Sequence, residues 1–411
     1  MTAERDTLPG PNHPLSGIAT ITFAASTGEV EVVLVGGRSI RGRVEPISGP
    51  TLVAKSVFDV YSSTLRTSLS DGTVFTTQIG TLLTEVDRPV VYLDQNHWID
   101  LARVIVNPPV DPNDREISCL RLIELARSRD IILPLSGGHV VEIAKKGGRQ
   151  RLDVARVMVE LSRGWQMRSP LYVRAAELAR MFRPDAGGGA LLDVFTLDPW
   201  ALWNDPYRRP QRRSSVPELP PEVRGVSERI SWIESFIHVL LDTDPEVSLA
   251  GLEMAGKWAS SFQELAQHMR SNPKARAYAR DLTRTRFITD MSNDVAAAAA
   301  GGGLTPEQFT GWLQDEAEIA FSSLPALGRI REVLHLRLIN ADDKWHRNDL
   351  NDMLFLCCAA GYADVVIGEK KMCNYLQRAN DKVSAGAEVF RRVVDALPRV
   401  EAAVAVRVPV R

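Results

Sequence analysis

Asp94 directly follows the apolar run Val90-Val91-Tyr92-Leu93. That run reads as a strand buried on both faces, so Asp94 falls at its carboxyl end, where open α/β sheets place ligands. The position suits a helix cap equally well, because Asp94, or Asn96 beside it, precedes a helix expected over 97–106. Glu369 repeats the pattern, following Asp364-Val365-Val366-Ile367 and Gly368. Glu142 lies in LPLSGGHVVEIAKK, beyond a second apolar run at Ile131-Ile132-Leu133. It is flanked by Val140, Val141 and Ile143, and a carboxylate buried there without a partner is costly. The alternative is an exposed helical Glu paired with Lys145 or Lys146 at i+3 or i+4. Asp349 and Asp352 stand at i, i+3 at the start of a helix in NDLNDMLFLCCAAG. Asp349 can serve as a cap, whereas Asp352 is one turn further in. Asp364 begins the strand that Glu369 follows, about 16 Å away at about 3.3 Å per residue, so the two cannot share an ion and Asp364 reads as a turn or cap residue.

If those strands are parallel neighbours, Asp94, Glu142, Asp352 and Glu369 converge. Unpaired carboxylates cannot all stay ionised together without a cation. Hard oxygen ligands select Mg²⁺ or Mn²⁺ rather than zinc. Such ions activate water and stabilise in-line phosphoryl displacement, with no nucleophilic Ser or Cys needed. His139 and His346 each precede one of these acids by three residues and read first as hydrogen-bonded structural residues.

The order and spacing of YLDQNHW, LPLSGGHVVEIAKK and NDLNDMLFLCCAAGYADVVIGEKK resemble the PIN-domain family of metal-dependent ribonucleases. The resemblance covers about 88–149 and 346–396. It implies a parallel sheet flanked by helices, with Asp94, Glu142, Asp352 and Glu369 as catalytic, metal-binding acids. Asn96 would orient Asp94 or a water, and Asp349 is a further candidate ligand. The fourth acid here is Glu369, where the family usually carries Asp preceded two residues earlier by Thr or Ser. The insertion between the second and third acids is far longer than in small family members.

Those segments must be positioned by the rest of the chain. Residues 1–16 read as a loose tail. Residues 17–86 read as a small all-β module, with strands in GIATITFAAS, EVEVVLVGG, SIRGRVEPI and TVFTTQIGTLL and turns at Gly28, Gly36-Gly37 and Asp71-Gly72. Residues 88–149 and 346–411 read as two halves of one α/β domain, separated by a largely helical insertion over 150–345. Within the second half, helices are expected over 349–361, 370–379 and 387–396, and a last strand over Val400–Val408.

The 411 residues carry 49 basic and 51 acidic side chains, net −2, with 45% hydrophobic residues. That balance excludes wholesale disorder and a globally basic coat, but not a local basic groove. Four scattered cysteines without a CxxC pair argue against a disulfide framework or a structural zinc site and fit a reducing, cytoplasmic setting. Neither a signal peptide nor a membrane span is expected. Arg276, Arg280 and Arg284 follow i, i+4 spacing in a basic stretch, the footprint of a phosphate-binding stripe or of a solvated face paired with acids elsewhere. A second cluster, Arg208, Arg209, Arg212 and Arg213, sits in a proline-rich stretch.

The leading expectation is a Mg²⁺- or Mn²⁺-dependent nuclease acting on RNA rather than DNA, with the β module as a site for a protein partner. The competing expectation is a catalytically silent scaffold or RNA-binding protein. A phosphatase of the haloacid-dehalogenase type is disfavoured, because it needs a second Asp where Asn96 stands.

Overall fold

A computed structural model describes residues 15–406 apart from 25, 44–51, 79–85, 87, 146, 184–191, 199–200, 203–225, 227–229, 231–232, 235, 242–248, 341 and 384. Of the tail expected over 1–16, residues 1–14 lie outside the described residues, as do the arginines at 208, 209, 212 and 213, whereas Leu15 is buried in a hydrophobic core cluster. The chain divides into two contact-defined units. One comprises Met1–Glu85, Val140–Gln166 and Thr196–Pro245, and the other Val86–His139, Met167–Phe195 and Glu246–Arg411.

The first unit holds a six-stranded antiparallel sheet of β1 (Ile18–Ala24), β2 (Glu29–Leu34), β3 (Ser39–Arg43), β4 (Val53–Asp59), β5 (Thr64–Leu69) and β6 (Val74–Gln78), in the order β3-β2-β1-β4-β5-β6. Alternation drives it: Ile21, Phe23, Val30, Val32, Phe58 and Leu65 point to one buried face. Asp71-Gly72 forms the expected turn, with Gly72 at φ +85° and Asp71 Oδ1 accepting the Thr73 N–H at 2.8 Å. The strands VAKSVFD and TLRTSL complete the sheet beyond those singled out from the sequence.

The second unit is built on a three-stranded parallel sheet of β7 (Val91–Leu93), β8 (Val365–Ile367) and β9 (Glu388–Phe390), in the order β9-β8-β7. A parallel bridge between Val90 and Ile132 extends it by one segment. The residues of β7 and β8 are at most 2% exposed, which explains their uninterrupted apolar sequences. Around the sheet lie α1 (Gln95–Val106), α2 (Asp114–Arg127) and α3 (Gly137–Ala144). The division between the units falls within α3, and α4 (Gly148–Ser162) belongs to the first unit. Then follow α5 (Pro170–Phe182), α6 (Leu249–Ser271), α7 (Pro273–Ala277), α8 (Ala279–Asp290), α9 (Ser292–Gly301), α10 (Pro306–Asp315), α11 (Ala317–Ser323), α12 (Pro325–Leu338), α13 (Asp349–Tyr362), α14 (Lys370–Asn380) and α15 (Val393–Val406). The segment 150–345 is therefore shared between the two units.

Two expectations near the carboxyl terminus are corrected. Residues 388–390 form β9, where a helix over 387–396 was expected, and the alternating stretch from Val400 is helical through Val406. The reason is periodicity: Val393, Ala396, Val400 and Ala403 are spaced three and four apart and are all buried on α15. No helix among the described residues is long and apolar enough to cross a membrane.

Candidate active site at the carboxyl edge of the parallel sheet

The register of β7 and β8 pairs Leu93 with Ile367, and the Asp94 N–H donates to the Ile367 carbonyl at 2.8 Å. Asp94 and Glu369 therefore leave neighbouring parallel strands at the same edge. Each then stands at the N-cap position of a helix, Asp94 before α1 with a side-chain capping bond and Glu369 before α14 without one. The cap and site readings of Asp94 are thus compatible. Its Oδ1 accepts the Gln95 N–H at 2.8 Å, while its backbone remains fixed to β8. Asn96 Nδ2 donates to Glu369 Oε1 at 3.0 Å, tying the first turn of α1 to the second strand-end acid. Glu369 is thus an acid that Asn96 orients.

Asp352 reaches the same edge from α13. That helix runs into β8 through Ala363 and Asp364, so its amino end returns to the strand's carboxyl end. Phe355 packs on the start of α3, its ring 3.0 Å from where a Cβ on Gly138 would stand. Leu356 lies 3.5 Å from the corresponding point on Gly368. These residues, one turn beyond Asp352 and on its helix face, place Asp352 beside the β8–α14 loop. Electrostatics agree. Burial drives the Tyr92 hydroxyl far above its ordinary pKa, and the charges of Asp94 and Asp352 add to that shift. Burial pushes the Cys373 thiol up to about 11, with Asp94 and Glu369 raising it and Arg391 opposing them.

Asp349 is engaged differently. Its Oδ2 accepts from Arg337 Nη2 at 2.7 Å and from the His346 N–H at 2.6 Å. Arg337 is fully buried and also pairs with Asp343. The Asp349 carboxylate therefore neutralises a buried guanidinium at the start of α13, which leaves it poorly suited to a cation. Glu142 is half-exposed and ion-paired with Lys145, the i, i+3 partner allowed by its spacing, and it belongs to the first unit. Asp364 Oδ2 accepts the Val90 N–H at 2.7 Å, so it is the structural residue expected.

Three further groups position the site: His97 and Gln95, which the sequence did not single out, and His139, which is the hydrogen-bonded structural residue expected. The His97 ring lies 3.9 Å from Asp100, and the Gly368 backbone, close enough to favour its protonated form, places it beside the loop that carries Glu369. His139 Nδ1 accepts the Ser136 N–H at 3.0 Å, which leaves Nε2–H to donate to the Leu93 carbonyl at 2.7 Å. This fixes a neutral tautomer directly behind Asp94. Burial holds the His139 pKa down to about 4, and its ring stacks on Tyr92. Gln95 is 6% exposed, and neither polar atom of its side chain has a hydrogen-bond partner.

Among the described residues, no group of three or more His, Cys, Asp or Glu is arranged to hold a metal. The donor set is instead a pair of carboxylates on adjacent strand ends, with Asp352 near one of them. Such a set fits Mg²⁺ or Mn²⁺, because Mg²⁺ binds through one or two carboxylates and completes its shell with waters and substrate phosphates. It does not fit a prebuilt zinc cage, and the four cysteines are buried and free.

The arginine stripe is corrected. Arg276 lies on α7, whereas Arg280 and Arg284 lie on α8, with the helix interrupted at Tyr278. Arg280 forms a two-pronged pair with buried Glu332, at 3.0 and 3.1 Å, and Arg284 donates to the Leu313 carbonyl. Pairing with an acid therefore accounts for Arg280, whereas Arg284 is held by a neutral carbonyl.

No protein-family model, curated protein or solved structure matches the chain.

Proposed function

We propose that the protein is a divalent-metal-dependent phosphodiester hydrolase of PIN-like design, a ribonuclease, with its centre at Asp94, Glu369 and Asp352. The observation that carries this reading is the register: two acids leave neighbouring parallel strands at one edge, and Asn96 joins them through its bond to Glu369. A bound Mg²⁺ or Mn²⁺ ion would supply an activated water and charge neutralisation at phosphorus. The chain's part is to aim the donors. His139 holds the end of β7, Asn96 holds the β8–α14 loop with His97 beside it, and Asp352 approaches from the start of α13. Glu142, committed to Lys145, is assigned a secondary role, and Asp349 a structural one.

The test is cleavage of a generic single-stranded RNA with Mn²⁺ by the wild type, Asp94→Asn, Glu369→Gln and Asp352→Asn. Removing one carboxylate of a cooperating set lowers kcat by about 10²-fold or more, with the fold retained by circular dichroism. Equal cleavage by all four proteins rejects the assignment. Chelation with EDTA is expected to abolish turnover in the wild type. The second reading, a silent RNA-binding scaffold, is favoured by the lack of a three-donor metal group among the described residues. Calorimetry with Mn²⁺ separates the two: heat of binding that is lost in Asp94→Asn supports the enzyme.

A further inference from the structure

The carboxyl edge of the parallel sheet is graded in charge. Its strand order is β9-β8-β7, and the register aligns Phe390, Ile367 and Leu93. Stepping off the strands in that order, the edge presents Arg391-Arg392, then Glu369-Lys370-Lys371, then Asp94. Neighbouring strands stand about 4.8 Å apart, so the cations after β9 lie about two strand spacings from Asp94 along one rim.

These cations differ in how far they are already used. Lys371 is paired with buried Asp343 at 2.5 Å, and Arg392 with Asp395 at 2.6 Å. Arg391 donates to the Asn374 amide oxygen, a neutral partner that holds the guanidinium without cancelling its charge. Lys370 is exposed and makes no ion pair among the described residues. The Gly368 N–H donates to the Phe390 carbonyl at 3.0 Å, which locks the loop carrying Lys370 to the end of β9 carrying Arg391. Two charges on the rim are thus positioned by backbone bonds and left available. By contrast, Arg280 on α8 is spent on the buried Glu332 carboxylate.

We infer that Lys370 and Arg391 bind the phosphodiester backbone of a single-stranded nucleic acid, which crosses the sheet edge from the end of β9 towards Asp94 and Glu369. The inference rests on the hydrolase reading for what happens at the acids, but not for the contact itself. A polyanion fits because the rim offers separate cations in a row, and a chain of phosphates engages each in turn. A small phosphate ester would engage one. The contact is blind to base sequence, since no base-reading group takes part.

The experiment measures binding of a fluorescent single-stranded RNA oligonucleotide, and of the matching DNA, to the full chain in EDTA, where no cleavage occurs. Affinity is followed as salt is raised. Lys370→Gln/Arg391→Gln is expected to reduce the slope of log K against log salt by about 1.4, that is about 0.7 for each lost phosphate contact. Lys370→Glu/Arg391→Glu is expected to weaken binding further, with both variants folded by circular dichroism. RNA and DNA losing affinity alike identifies the shared backbone as the ligand, whereas loss for RNA alone places a ribose contact on the same rim. An unchanged slope in the double variants overturns the inference, as does an affinity that follows Arg276→Glu instead. Wild-type protein that binds neither strand overturns it too. If binding behaves as expected while Mn²⁺-dependent cleavage is absent, the contact stands and the hydrolase reading falls. If cleavage occurs and the double variants bind and cut normally, the reverse holds.

Discussion

At the scale of single residues, the candidate site is held by neutral groups placed behind charged ones. His139 is the clearest case. Its two ring nitrogens are committed to the Ser136 N–H and the Leu93 carbonyl, and burial lowers its pKa from 6.5 to about 4. The unfolded chain therefore takes up a proton at a pH where the folded chain does not. The sign follows: the full contribution is present above pH 6.5 and is lost as pH falls towards 4, at about 1.4 kcal/mol per pH unit and about 3 kcal/mol in all. His97, lowered mainly by burial, acts in the same direction. Urea unfolding at a series of pH values should show a wild-type midpoint that falls more steeply below pH 6.5 than that of His139→Gln. Parallel curves for the two proteins would remove His139 from the account. Gln95 makes a related point. A buried amide with both polar atoms unpaired costs about 1–3 kcal/mol per unsatisfied group.

At the scale of elements, the site depends on helices that approach closely. Gly361 lies near the end of α13, where a Cβ would stand 2.8 Å from the Pro325 carbonyl carbon at the start of α12. Alanine is the better helix former by about 1 kcal/mol, so propensity alone predicts that Gly361→Ala stabilises. The contact is to backbone, which cannot swing aside, and overpacking of this kind costs about 1–3 kcal/mol. The expected outcome is a net loss in denaturant midpoint, with reduced activity because α13 carries Asp352. An unchanged or raised midpoint would show that the two helices separate at little cost. Legibility in the sequence follows the same physics. Asp94 and Glu369 were legible because a doubly buried strand leaves an apolar run and the acid marks its end. Strand β9 was not, since Glu388-Val389-Phe390 is too short to show a period and runs directly into the helical spacing of α15. The partners of Arg280 and Asp349 were illegible for another reason: Glu332 and Arg337 are brought to them by tertiary packing that no local pattern announces. Glu142 showed both readings at once, and its i+3 lysine took it.

At the scale of the molecule, each unit draws its core from distant stretches of chain. β7 and β8 pair although more than 270 residues separate Asp94 from Glu369, whose strand neighbour β9 comes later still. The antiparallel sheet is similarly incomplete within its own stretch. Val226 and Ile230 join Ile21, Phe23 and Leu65 in its core, and Thr77 Oγ1 on β6 donates to the Val159 carbonyl of α4 at 3.2 Å. An antiparallel sheet tolerates water on one face, but its apolar face needs a cover. Residues 17–86, which the sequence presents as a small all-β module, therefore lack part of their own core. Expressed as a fragment, residues 1–86 are expected to show no cooperative thermal transition and to bind a hydrophobic dye, whereas the full chain melts cooperatively. A fragment joining 1–86 to 140–166 and 196–245 through short linkers is expected to recover a transition. Cooperative melting of 1–86 alone, near the temperature of the full chain, would show instead that the six strands suffice and that the later segments are additions to a finished fold.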